Sequence, residues 1–110
     1  MECPNIDNLK FSQISIEAIN EIQQKRELGD LLIKMIGYGT WANIFAGNGM
    51  LEMTYSLKST DFEQMGKTMA VVPELVKATI ERIASYTALR VSDYKERQFW
   101  LAVSSGCSTR

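Results

Sequence analysis

Residues 37–50 read GYGTWANIFAGNGM and follow directly on the apolar run LLIKMI at 31–36. Four glycines in fourteen positions admit two readings that lead to different folds. If LLIKMI is a strand, the glycines form a tight turn whose backbone amides approach a phosphate, and a parallel sheet has to follow. If LLIKMI closes a helix, Gly37 or Gly39 ends it in the left-handed conformation and Gly47-Asn48-Gly49 makes a turn before the next element.

The first reading has local support. Gly37-Tyr38-Gly39-Thr40-Trp41-Ala42 fits the pattern G-x-G-x-x-[GA], and GYGTWANIFA resembles the phosphate turn of nicotinamide-dependent dehydrogenases. That resemblance implies pyrophosphate binding at Gly37 and Gly39, with Asp61 as the ribose-binding acid about 20 residues further on. The surroundings do not fit. Between Thr40 and a second strand at Leu51 there is room for little more than two helical turns, whereas a parallel crossover needs about a dozen residues. After Asp61 the chain reads as helix throughout, so no third strand is available. The helix-ending reading is preferred and no cofactor is expected; small-ligand or nucleotide binding through residues 37–49 stands as the alternative function.

Working outward from this stretch, helix is the dominant expectation. Ser15 has the place of an N-cap, and Ile14 and Ile19 have the spacing of a hydrophobic staple. The apolar positions Ile16, Ile19 and Ile22 lie on one stripe, while Leu28, Leu31, Leu32, Met35 and Ile36 follow helical spacing on another. Because Glu, Gln, Lys, Arg and Leu fill the junction, the spacing predicts a long helix from Ile16 to about Ile36 that changes neighbours along its length, with Gly29-Asp30 as the weak point. A helix-turn-helix built on Gly29 is disfavoured, since Lys25 stands where close packing favours a small residue.

Thr60-Asp61-Phe62-Glu63 matches a capping box and predicts a helix over 61–71. Pro73 then opens a helix over 73–91 whose apolar stripe is broad enough for neighbours on two sides. Ser92 is the expected cap of a last helix over 93–103, followed by the tail SSGCSTR. The opening MECPNIDNLKFS reads as an arm that packs Ile6, Leu9 and Phe11. Strand character is confined to 50–58, where Leu51, Met53, Tyr55 and Leu57 alternate with more polar neighbours. The expected fold is therefore an all-α single domain of four to five helices, with room for a short β-hairpin between residues 41 and 58.

Composition excludes more function than it suggests. The 110 residues suffice for one domain with its own core, and 45% apolar with 23% charged residues is ordinary globular composition. Twelve basic against thirteen acidic residues give a net charge of −1, which offers a nucleic acid no excess of counterion-displacing side chains. No apolar run approaches the ~20 residues of a membrane span. Cys3 and Cys107 show no metal or disulfide spacing, and the first residues lack a basic-then-apolar leader, so a reduced, cytoplasmic protein is expected. Cys107-Ser108-Thr109-Arg110 has the length of a prenylation box but a polar middle and the wrong last residue.

The chain contains no histidine, which removes the commonest general base and metal ligand and with them the usual triads and most zinc sites. Catalysis, if any, would run on carboxylate, Tyr or Lys chemistry in a helical pocket. The reading preferred here is a non-catalytic interaction or regulatory protein that self-associates. Large aromatics and clustered methionines suit such surfaces, so Trp41, Phe45, Met65, Met69, Phe99 and Trp100 are the candidate interface residues. Phe99 and Trp100 are adjacent on one helix and point apart, and a homodimer with one of them at its interface is expected.

Overall fold

The computed structural model describes residues 3–36, 40–47 and 50–105. In chain order they form β1 (Ile6–Lys10), α1 (Gln13–Gln23), α2 (Arg26–Ile36), α3 (Thr40–Phe45), β2 (Thr54–Leu57), α4 (Ser59–Val71), α5 (Glu74–Arg90) and α6 (Tyr94–Ser105). This is the expected small, mostly helical domain with a two-stranded antiparallel sheet. LLIKMI belongs to a helix, so the strand that a dinucleotide turn would require is absent at that place. Gly37 and Gly39 themselves lie outside the described residues.

The predicted long first helix is two helices. It starts at Gln13 rather than Ile16 and breaks at Gln24-Lys25, four residues before Gly29. A straight helix would have turned one of its two apolar stripes to water, at about 1.5–3 kcal/mol for each large side chain left exposed. The break costs little by comparison, because Gln24 N–H bonds Glu21 O and Lys25 N–H bonds Ile22 O. Both stripes then face inward: Ile19 and Ile22 of α1 and Leu28 and Leu32 of α2 are all buried.

Gly29 sits inside α2, where a Cβ would meet only Ala46 and Phe45 at 3.6–3.8 Å, ordinary van der Waals contact. Glycine in a helix interior costs about 1 kcal/mol relative to alanine. Gly29→Ala is therefore expected to stabilise the fold and raise Tm by about 4–8 °C. A lower Tm in a thermal melt would show that α2 and α3 pack more tightly here than the geometry indicates.

The strand pair does not form within residues 41–58. Residues 41–45 are helical, and β2 instead recruits the N-terminal arm, with Ile6 opposite Leu57, Leu9 opposite Tyr55 and Lys10 opposite Thr54. Ile6 and Leu9 are three apart, and plain alternation would put them on opposite faces. An irregularity between them, with Asn8 at φ 55°, restores both to the core side. Cys3, just before this strand, is disulfide-bonded, where the sequence reading expects it reduced; Cys107 lies outside the described residues. Burial and, secondarily, the Glu52 carboxylate push the Tyr55 phenol above its usual pKa, and its hydroxyl donates to Met50 O at 2.7 Å.

The caps also differ from those predicted. Helix α4 starts at Ser59, where Asp61 Oδ2 accepts from Lys58 N–H and Asn5 Oδ1 accepts from Ser59 N–H. Helix α6 is capped by Asp93, whose Oδ2 accepts from Glu96 N–H at 3.0 Å, one residue later than Ser92.

Helix α6 is the centre of the fold. It packs along α5 on one side and meets β1 and α4 on the other, so both directions in which Phe99 and Trp100 point are interior. The ring of Phe99 lies 5.2 Å from that of Phe11, 6.1 Å from Trp41, 6.2 Å from Phe62 and 5.0 Å from Trp100. Trp41 stacks on Phe45 and donates its indole N–H to Asp61 O at 2.7 Å.

Candidate functional site

The six aromatic and methionine residues put forward as interface candidates are all spent inside the chain. Trp41, Phe45, Met65, Met69, Phe99 and Trp100 are buried members of the single core. Their side chains are interior and not at an interface as expected: the opposed directions of Phe99 and Trp100 are answered by two neighbours within the monomer. Asp61 is partly buried at the start of α4 with its carboxylate engaged in the cap described above. It serves helix initiation in this fold.

One residue missed by sequence reasoning organises the interior. Glu96, on the first turn of α6, is only 3% exposed. Its Oε2 accepts from Ser12 N–H at 2.9 Å and Ser12 Oγ at 2.7 Å, and also from Ser15 Oγ. Ser15 Oγ in turn accepts from Trp100 Nε1 at 2.9 Å. Ser15, predicted as an N-cap, is instead a buried side chain in the first turn of α1, whose N-cap is Ser12. The orphan amide at the start of α1 is satisfied from across the fold by Glu96, more than eighty positions away in sequence. Nothing local to 12–15 could have announced that partner. Among the described residues no buried side-chain polar atom lacks a hydrogen bond.

Two surface depressions among the described residues bear on binding. A shallow one of about 390 Å³ lies over this clasp, bordered by Asn8, Lys10, Asp93 and Lys95. Its groups are largely committed within the chain: Lys95 Nζ donates to Asp7 O at 2.7 Å and Asp93 caps α6.

The larger, about 410 Å³, is a groove between α1 and α5. Ala18, Ile83 and Thr87 form its buried floor. Glu17 and Glu21, four apart and so one turn apart on α1, rise on one side; Arg82, Tyr86 and Arg90, spaced in the same way on α5, rise on the other. Glu17 accepts from Gln13 Nε2 of its own helix, and the Arg90 guanidinium lies over the Tyr86 ring at 5.3 Å from its centroid. Among the described residues no ion pair joins the two walls.

Beside this groove runs the outward face of α5. Leu75, Arg82 and Leu89 are spaced by seven and so fall within about 20° of one line along the helix. Leu75 and Leu89 are 85% and 84% exposed and Tyr86 is 61% exposed. Across the seam with α6, the Ser85 and Ser104 hydroxyls bond each other. One turn along from that bond on either helix stand Leu89 and the exposed Leu101.

No protein family, curated protein or solved structure matches the chain. Among the described residues no cluster of three His, Cys, Asp or Glu side chains could hold a metal ion, and no described helix is long and apolar enough to cross a membrane.

Proposed function

We propose that this chain is a non-catalytic interaction protein that works by self-association, with the outward face of α5 as its docking surface. The observation that carries the reading is the exposure of Leu75 and Leu89 on a helix whose opposite face is fully engaged with the core. The folded chain has buried its tryptophans and phenylalanines and left these side chains in water. Leu75 and Leu89 stand about four turns apart with Arg82 between them, and the 61% exposed Tyr86 lies beside Leu89, so that the exposed apolar area of α5 falls on one face, as it does on helices that meet a partner. Self-association is the commonest remedy for such a row, and it needs no partner that a nearly neutral surface would have to attract by net charge.

With Cys3 in a disulfide, the compartment we favour is an oxidising one rather than the cytoplasm expected from sequence, since cytosolic thiols are kept reduced.

Light scattering on the unmodified protein at micromolar concentration is expected to give about twice the chain mass of 12.4 kDa. Leu75→Glu with Leu89→Glu is expected to give a monomer with an unchanged circular dichroism spectrum, because both side chains lie outside the core. A monomeric unmodified protein would overturn the reading.

A further inference from the structure

We infer that the partner is a second copy seated along the α1/α5 groove with its two-fold axis parallel to the groove, so that Glu17 and Glu21 of each copy face Arg82 and Arg90 of the other. This rests on the self-association proposed above and adds the arrangement.

The argument is one of symmetry and sign. A two-fold pairing brings a surface patch against its own rotated image. The patch here has an acidic row on α1 and a basic row on α5, side by side across the groove and unpaired with each other. An axis across the groove would set acidic row on acidic row and basic row on basic row. An axis along the groove sets each acidic row on a basic row, twice over. Like charges brought together at an interface cost far more than rim pairs contribute, so the charge rows select the register even where they add little affinity.

The rest of the patch suits that placement. In it α5 of one copy lies over α1 of the other, so the exposed Tyr86 on the groove's rim meets the aliphatic stems of the partner's glutamate row. Helix α5 has 17 residues, a length of about 25 Å at 1.5 Å per residue. Helix α1 has 11 residues, about 16 Å, so at about 10 Å of width each the two helices project to roughly 400 Å², half of the roughly 800 Å² per partner in stable dimers, and the surface flanking them supplies the rest. The groove is also self-sufficient in charge: two acids face two bases, which matches a chain whose total is close to neutral.

The test is a charge swap. One variant carries Glu17→Lys and Glu21→Lys, the other Arg82→Glu and Arg90→Glu, and circular dichroism checks that each is folded. Each alone is expected to be monomeric where the unmodified protein is dimeric, with dissociation constants raised about a hundredfold. Mixed in equal amounts they are expected to form a dimer again, since every reversed row meets a reversed row. High salt should weaken the unmodified dimer. If the unmodified protein is dimeric and both variants remain so, or if the mixture fails to pair, the arrangement is wrong while self-association stands. If the unmodified protein is monomeric at low salt, self-association itself fails. Should a reversed variant not fold, Glu17→Gln with Glu21→Gln takes its place, and a salt dependence of dimer affinity unchanged from the unmodified protein would overturn the arrangement.

Discussion

Phe99→Ala is expected to lower the unfolding free energy by about 3–5 kcal/mol, the range for removing a fully buried large aromatic. Phe99 is completely buried and its ring neighbours five others, those of Phe11, Trp41, Phe45, Phe62 and Trp100. These neighbours come from the N-terminal arm, α3, α4 and α6, so the cavity opens where most of the fold converges and no single side chain can swing in to fill it. Small domains are stable by only about 5–15 kcal/mol in total. The variant should therefore unfold at a much lower urea midpoint than the parent. Because this side chain faces the interior and not a partner, the loss should not depend on protein concentration. A near-parental midpoint, or a loss that appears only on dilution, would place Phe99 at an interface instead.

Removing the Glu96 carboxylate should have the next largest effect. Glu96→Ala deletes the acceptor for one backbone amide and two hydroxyls, each of which loses about 1–3 kcal/mol if it is left buried and unpaired. Two effects reduce that sum. Burial of a carboxylate is itself unfavourable and is relieved by the change, and Ser12 lies near enough to the surface for water to reach it. The net expected loss is about 2–4 kcal/mol. Glu96→Gln separates the contributions. All three bonds fall on one oxygen, and an amide oxygen can occupy that place, so only the charge assistance is lost and the cost should fall to about half. Equal losses for the two variants in chemical denaturation would mean that the negative charge, not the acceptor, holds α1 to α6. No loss in either would remove Glu96 from any structural role.

These two residues show different limits on what a sequence discloses. Phe99 was visible as a large aromatic at helical spacing, and its adjacency to Trp100 correctly implied two opposed directions. Helical spacing does not disclose which neighbours lie in those directions, and where it suggests an interface, α5 on one side and β1 and α4 on the other close over both rings. Glu96 was not visible at all, because an acidic residue in the first turn of a helix has a sufficient local explanation in the helix dipole. Its actual partners, Ser12 and Ser15, lie at the start of α1, and no periodicity or cap pattern links positions so far apart.

The same division runs through the fold. Local chemistry determined that the chain is mostly helical: Pro73 starts α5, the polar start of α4 and the 3.6-residue spacing of its apolar positions define that helix, and the absence of histidine by itself narrows the available chemistry. The break at Gln24-Lys25 was decided by tertiary structure, since good helix formers fill the junction and only the gain from burying both stripes separates α1 from α2. The pairing of β2 with the N-terminal arm was decided in the same way, because a short strand can be completed by any extended segment and the core selected the one carrying Ile6 and Leu9. The surface that was left over, Leu75 and Leu89 beside a groove with one acidic and one basic wall, is the remainder after those choices: amphipathic spacing tells how many apolar residues a helix carries, and only packing tells which of them are still exposed.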